Sequence, residues 1–174
     1  MKKRFLTFLL CSMAISSYGS PLWLRYSAIL PDGQQIAFKY KGDLYTVPTS
    51  GGTATQLTSS VDHESFPVWS HDSRTIAFAS DKEGGFDVYT IPAQGGQPTR
   101  LTTHSAAETP LAFSADNSQV YFSATIEDPA SSALNPAAWL AELYKVSTKS
   151  GARPQLVVAA PISSISFDKD GESF

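Results

Sequence analysis

Cysteine is almost missing from this sequence, and its scarcity excludes several kinds of site. Cys11 is the only cysteine among the 174 residues, and it lies in an N-terminal apolar run that we expect to be removed. The rest of the chain then has no disulfide, no thiolate nucleophile and no cysteine metal site. We therefore expect the folded protein to depend on its apolar core and on neighbouring domains.

Motifs of several enzyme and ligand-binding classes are also missing. His63-Glu64 is not followed by a second histidine at metalloprotease spacing. The sequence contains no Gly-x-Ser-x-Gly nucleophile elbow and no Gly-rich phosphate loop. Three carboxylates fall short of a calcium-loop pattern and favour a solvated hairpin: Asp81, Glu83 and Asp87. We predict no catalytic residue, no metal and no cofactor in this segment.

The first twenty residues have the layout of a secretory signal peptide. Lys2, Lys3 and Arg4 precede an apolar run over residues 5–15, and small and polar residues come after it, before Pro21. The run is too short to span a bilayer comfortably, and a buried N-terminal helix is the alternative. We predict that residues 1–20 are removed and that the protein is exported to the periplasm or cell envelope.

The charge of the remaining chain argues against one class of partner. Residues 1–20 hold three of the thirteen basic side chains and none of the sixteen acidic ones, so the rest carries a net charge of −6. An acidic surface repels phosphate backbones. We therefore expect no nucleic-acid partner.

A repeat organises the chain after residue 20. Each unit has a large apolar residue three positions before an aspartate, alternating apolar residues after it, then an apolar-Tyr pair and a glycine turn. The units align on Asp32, Asp72, Asp116 and Asp170, and they end on Leu57-Thr58, Leu101-Thr102 and Leu156-Val157. Units of about 40 residues with four strands each are typical of β-propeller blades. A sandwich would not repeat its turns in register, and a β-helix has a shorter repeat.

The repeat predicts an all-β fold, a partial β-propeller of four-stranded blades. The strands of the second unit are predicted at Phe66–Ser70, Thr75–Ser80, Phe86–Pro92 and Pro98–Thr102. We expect one incomplete propeller over 21–174, with blade units at about 21–59, 60–104 and 105–159 and the start of a fourth at 160–174. The last unit stops within a strand at Phe174, so we expect further blades after it.

Three side chains are candidates for partner or substrate contact. Trp139 lies in an insert of about twenty residues in the third unit, where the first unit has five; a long loop in a compact repeat is often functional. His63 and His104 lie in comparable loops before successive units. The alternatives are local packing of Trp139 and solvation of both histidines. Asp43 and Asp87 precede the tyrosine pairs, and we interpret them as hydrogen-bonding to neighbouring backbone.

Two stretches carry a resemblance to known families. The unit "FPVWSHDSRTIAFASDKEGGFDVYTIPAQGGQPTRLTT" resembles the TolB-type, WD-like propeller repeat. The segment "PLWLRYSAILPDGQQIAFKYKGDLYTVPTSGGTATQLT" resembles the opening of tricorn-type proteases, particularly their exported bacterial homologues. The resemblance covers residues 21–174. Two departures lie at hairpins: Leu30 stands where later units have serine, and His71 replaces the proline found at Pro31.

The resemblance implies a function for the whole protein. The propeller would be the non-catalytic, substrate-guiding part of an exported tricorn-like serine protease that degrades peptides or unfolded protein. Its partners would be the remaining blades, downstream peptidase domains and a peptide or protein substrate, and a homo-oligomer is compatible with it. The alternatives are a TolB-like periplasmic protein-binding scaffold without enzymatic activity and a propeller fused to an α/β-hydrolase peptidase.

Overall fold

The computed structural model describes residues 23–126 and 141–167, and these ranges form twelve β-strands in three antiparallel sheets. The first sheet contains β1 to β4, which span Arg25–Ile29, Gln35–Tyr40, Asp43–Pro48 and Thr55–Gln56. The second contains β5 to β8, which span Glu64–Trp69, Thr75–Ser80, Asp87–Pro92 and Thr99–Arg100. The third contains β9 to β12, which span Glu108–Phe113, Gln119–Ala124, Glu142–Ser147 and Gln155–Val158. In the two described ranges no helix has the length and apolar character needed to cross a membrane.

The predicted all-β fold is confirmed, and the second sheet shows how closely the repeat places its strands. β6 has the predicted bounds, and β7 begins one residue later than predicted. β5 begins at Glu64 rather than Phe66, because Glu64 and Ser65 pair with the far end of β6. β8 keeps only Thr99 and Arg100 of its predicted five residues, since only these two pair with β7.

Each sheet is a meander whose strands are adjacent in sequence order. The first strands of the three sheets contact one another, β1 with β5 and β5 with β9. The fourth strands lie at the opposite edge of their sheets. Successive sheets therefore stack face to face around their first strands, as blades do around a propeller axis.

The apolar core lies in two layers between the stacked sheets. Ile76 and Phe78 of β6 pack toward the first sheet, in a cluster with Leu44 and Leu57. Ala77, between them in sequence, packs on the other side with the third sheet. Alternation along β6 thus buries both faces of the middle sheet, because successive side chains of a strand point to opposite faces.

The turns between the first and second strands are built on the repeated aspartates. Asp32, Asp72 and Asp116 each accept a hydrogen bond from the backbone N–H two residues later, at 2.8, 3.1 and 3.0 Å. Gly33, Ser73 and Asn117 occupy the left-handed region with φ of 73°, 62° and 59°, as tight hairpins require. These turns and those between third and fourth strands lie at one end of the sheets, which we call the hairpin end.

The repeat alignment is wrong by one residue at the end of the third unit. Tyr144 pairs with Leu156, as Tyr45 pairs with Gln56 and Tyr89 with Arg100. Leu156 therefore corresponds to these polar residues and not to Leu57, and it is 52% exposed. The register shifts between Leu143 and Tyr144, and this irregularity is invisible in the apolar pattern.

Several predicted features lie outside the described residues. They are the signal peptide at 1–20, Trp139 with most of its insert, and Asp170 and Phe174 of the fourth unit. Residues 159–167 are described and contain no strand. Ile162 N donates to Ala141 O at 2.9 Å, so this segment passes beside the start of β11.

Candidate binding surface at the connector end

The end of the sheets opposite the hairpin end carries the connections between sheets, and we call it the connector end. Its described segments are 41–42, 57–63, 81–86, 101–107, 125–126 and 141, together with the strand ends that they join. Within the described residues this end carries three basic side chains, Lys41, Lys82 and Arg100, and eight carboxylates, of which Glu64, Asp87 and Glu108 are buried and Asp43, Asp62, Asp81, Glu83 and Glu142 are at least partly exposed. The connector end is therefore acidic.

His63 lies at the connector end, immediately before β5. Its Nδ1 is 3.3 Å from Asp81 Oδ2, and its backbone N–H donates to Asp81 Oδ1 at 2.7 Å. The imidazole is mostly exposed. His63 is thus held beside the loop between β6 and β7, with its ring accessible to a partner.

His104 lies in the next connector but at a different position within it. Counted from the threonine after the fourth strand, His104 corresponds to Ser60, whereas His63 corresponds to Ala107. The His104 Nδ1 accepts a hydrogen bond from Ala106 N at 3.1 Å. The two histidines share one end of the molecule, and they occupy positions three residues apart in the repeat.

A buried threonine and glutamate link the first sheet to the second. Thr58 Oγ1 accepts from Leu44 N at 2.9 Å and donates to Glu64 Oε2 at 3.0 Å. Ser60 Oγ donates to Glu64 Oε1 at 2.8 Å. Burial raises the pKa of the Glu64 carboxyl, while the bonds from Ser60 and Thr58 oppose the rise. The pair satisfies buried polar groups at the point where the chain passes between sheets.

The same pair recurs between the second and third sheets. Thr102 Oγ1 accepts from Val88 N at 2.8 Å and donates to Glu108 Oε2. Glu108 is fully buried, and its Oε1 has no hydrogen-bond partner among the described residues. Burial raises its pKa to about 7. A carboxyl held in this state changes its charge near neutral pH.

The third sheet lacks this polar pair. The backbone N–H of Ile162 donates to the carbonyl of Ala141, just as that of Glu64 donates to the carbonyl of Gly42. Ile162 therefore occupies the position of the glutamate. Val157 and Val158, at the end of β12, carry no hydroxyl. Both polar members are therefore replaced together by apolar ones. The sequence signal for the pair, Leu-Thr followed by glutamate six residues after the threonine, occurs twice and was not used in the prediction.

The aspartates before the tyrosine pairs differ between the sheets. Asp43 Oδ2 accepts from Gln56 Nε2 at 3.0 Å, and its Oδ1 accepts from Ser60 N at 3.2 Å. Asp87 Oδ2 instead accepts from Arg100 Nη2 at 2.7 Å. The predicted backbone bond is therefore found for Asp43, whereas for Asp87 it is wrong because an arginine side chain supplies the partner.

Two exposed aromatic rings lie near the connector ends of β1 and β5, the first strands of their sheets. Tyr26 of β1 and Phe66 of β5 have ring centroids 4.1 Å apart. Both residues adopt positive φ, 51° and 54°, at breaks in strand register. Bulky residues rarely adopt this conformation. The bulges therefore present an aromatic pair to solvent beside the acidic end.

The geometry of the described residues favours binding over metal chemistry at this end. They contain no group of three or more His, Cys, Asp or Glu side chains placed to hold a metal ion. Asp81 is bonded to His63 and Asp87 to Arg100, so these carboxylates are directed to other partners. The surface offers charge, hydrogen-bond acceptors and aromatic rings.

Solved structures show what this fold is similar to. A putative TolB from Agrobacterium tumefaciens has a TM-score of 0.63 at 20% identity, covering 79% of this chain and 47% of its own. TolB from Acinetobacter baumannii has a TM-score of 0.66 at 16% identity, covering 87% and 36%. The tricorn protease has a TM-score of 0.54 at 17% identity, covering 71% and 13%. The chain thus spans less than half the length of each.

Sequence comparison gives the family. Among curated proteins there is no significant match to the chain. The model of the tricorn protease N-terminal β-propeller domain matches residues 21–174, which is the range over which the repeat was recognised. With its three stacked four-stranded sheets, the chain belongs to the family of tricorn protease N-terminal β-propeller domains.

Proposed function

We propose that the connector end binds polypeptide, and that this chain is the non-catalytic, substrate-guiding propeller portion of an exported tricorn-like serine protease. The substrate would be peptides or unfolded protein. The observation that carries the proposal is the acidic connector end on a propeller of this family. The proposal places the protein in the periplasm or cell envelope, in keeping with the sequence of residues 1–20.

The surface chemistry supports polypeptide as the ligand. Five exposed or half-exposed carboxylates against three basic side chains favour a cationic partner. The exposed Tyr26 and Phe66 rings beside them offer contact to apolar side chains. An unfolded polypeptide carries both kinds of group on a mobile backbone, whereas a nucleic acid would be repelled. His63 is accessible on this surface, and His104 lies in the neighbouring connector.

A TolB-like protein-binding scaffold without enzymatic activity is the alternative. The TolB structures share this fold, and such a scaffold would use the same surface. The two hypotheses differ in the domains that the full-length protein carries after the propeller. The coding sequence beyond Phe174 decides between them: further blades and a peptidase domain support the protease, and closure of the propeller followed by a stop codon supports the scaffold.

The binding proposal is tested with an unfolded polypeptide whose amino groups are acetylated and whose arginines are intact. We expect its affinity, measured by fluorescence anisotropy, to fall several-fold in the double variant Asp62→Asn, Glu83→Gln and to fall with added salt. The matched control is Asp32→Asn, Asp72→Asn at the hairpin end, where asparagine keeps the turn acceptor. Equal loss in both variants, or no binding at all, contradicts the proposal.

A further inference from the structure

The first connector, 57–63, has Ser60 where the second, 101–107, has His104, and hydrogen-bonding groups near the second connector are without partners in the described part of the chain. In the first connector, Ser60 bonds to two carboxylates: its N–H donates to Asp43 and its hydroxyl to Glu64. His104 is at the corresponding position of the second connector. Its ring instead accepts from Ala106 N. Within the described residues, Asp87 Oδ1 and Glu108 Oε1 are left without a partner.

Asp87 is among the residues that line a cavity. A cavity of about 300 Å³ is lined by Asp87, Arg100 and His104 together with Glu83, Gly84, Gly85, Thr103 and Ser105. The Asp87 side chain is only 1% exposed. Arg100 Nε, a buried donor, also lacks a partner in the described part of the chain. A buried polar atom without a partner is destabilising, so a ligand that satisfies both atoms has a favourable site.

The charges of the lining select a cation. Glu83 and Asp87 provide two carboxylates against the single guanidinium of Arg100. Because no trio of metal-ligating side chains is assembled among the described residues, the donor set suits a nitrogen cation that donates hydrogen bonds. A primary ammonium has three such donors.

A polypeptide amino terminus fits the free groups most completely. Its ammonium can donate to Asp87 Oδ1, and its first carbonyl oxygen can accept from Arg100 Nε. A lysine side chain offers the ammonium without the neighbouring carbonyl. The two sources therefore share one chemistry and differ in whether Arg100 contributes.

We propose that the cavity between the β6–β7 loop and the second connector binds the primary ammonium group of a polypeptide, with Asp87 as its acceptor. This inference rests on the proposed function, since it names the group of the bound polypeptide that is recognised. Glu83, exposed at the rim, adds long-range attraction. The first connector has no such site because Ser60 occupies the corresponding acceptors.

The test titrates the protein with three small probes by calorimetry. They are alanyl-alanine amide, N-acetyl-lysine amide and N-acetyl-alanyl-alanine amide, which present a terminal ammonium, a side-chain ammonium and none. We expect both amines to bind and the blocked dipeptide not to bind. Tighter binding of the first identifies the amino terminus as the source, and equal binding identifies the ammonium alone. No binding of either amine overturns the proposal.

Variants locate the binding. Asp87→Asn should weaken amine binding about tenfold or more, while Asp116→Asn, the same kind of change at the hairpin end, should leave it unchanged. Equal losses in the two variants overturn the proposal. If Asp87→Asn does not fold, the exposed Glu83→Gln decides: a two- to threefold loss, roughly the size of a rim charge effect, supports the site, and no loss overturns it.

The outcomes separate this inference from the proposed function. An acetylated unfolded polypeptide that binds while the small amines do not leaves the proposed function standing and removes the ammonium site. Small amines that bind while neither acetylated nor native unfolded polypeptide does would remove the proposed function.

Discussion

The two ends of the stacked sheets use carboxylates in opposite ways. At the hairpin end, hydrogen bonds from serine and from the backbone lower the pKa of Asp72 and, to about 2, that of Asp116. At the connector end, burial raises the pKa of Glu64, Asp87 and Glu108. The same chemical group thus closes an exposed turn at one end and ties sheets together at the other.

The comparison separates local from tertiary roles. A turn aspartate bonds to residues within two positions, so its function is complete inside one hairpin. Glu108 bonds to Thr102, and through it to Val88 of the preceding sheet, so its function exists only when two sheets are stacked. Charge also differs: the described turns of the hairpin end carry three aspartates against Arg74, Lys149 and Arg153. The connector end is therefore the one suited to a charged partner.

The largest effect should come from breaking the tie between sheets. Thr102→Val removes the acceptor of Val88 N and the donor to Glu108, leaving both buried and unpaired. We expect the free energy of unfolding in urea to fall by about 2–4 kcal/mol. Thr102→Ser, which keeps the hydroxyl, should lose much less. The third sheet has valines and Ile162 here, so adding Glu108→Ile should recover part of the loss; a purely additive double variant contradicts the coupling.

The next largest effect should be on the way the free energy of unfolding depends on pH. The pKa of Glu108 is raised to about 7 in the folded chain. The contribution of Glu108 to stability is therefore fully present below its pKa in the unfolded chain, near 4.5, and is lost as pH rises through 7. The protein should therefore be more stable at pH 5 than at pH 8. Glu108→Gln should flatten this dependence, by at most about 3 kcal/mol. Measured urea unfolding curves that keep the same pH slope in the variant would refute this assignment.

The smallest effect is expected at the hairpin end, with the opposite sign. Because the pKa of Asp116 is lowered in the folded chain, its contribution to stability is present above its pKa in the unfolded chain. That contribution is lost as pH falls through about 2. Its carboxyl resonance in an NMR titration should have a midpoint well below that of an ordinary aspartate. Asp116→Asn should be tolerated, since asparagine keeps the acceptor for Ser118 N. A normal titration midpoint would show that the turn does not hold the charge.

The repeat made much of the fold predictable. Alternation of Ile76 and Phe78 with alanines predicts a strand buried on both faces, and Asp72-Ser73 predicts the hairpin before it, because these signals depend on residues close in sequence. Leu156 shows where prediction from the repeat fails. This leucine fits the apolar pattern of the repeat, but a register shift inside the third sheet moves it to an exposed position.

The candidate site was predicted less well. His63 and His104 were expected in comparable loops, and they do share the connector end, but only the threonine and glutamate positions show that they are not equivalent. Glu64 and Glu108 were not singled out, since a glutamate in a loop is usually solvated. Trp139 lies outside the described residues and stays a prediction.

Sequence by itself determined the strand order, the turns and the family, because each depends on local pattern repeated along the chain. Tertiary structure alone decided which carboxylates are buried, which are satisfied and which belong to the lining of a cavity. Asp43 and Asp87 precede the same Tyr position, yet Asp43 Oδ1 accepts from the backbone N–H of Ser60, whereas Asp87 Oδ1 has no partner among the described residues. The physical reason is that a pKa and a binding site depend on neighbours in space, and these come from other strands.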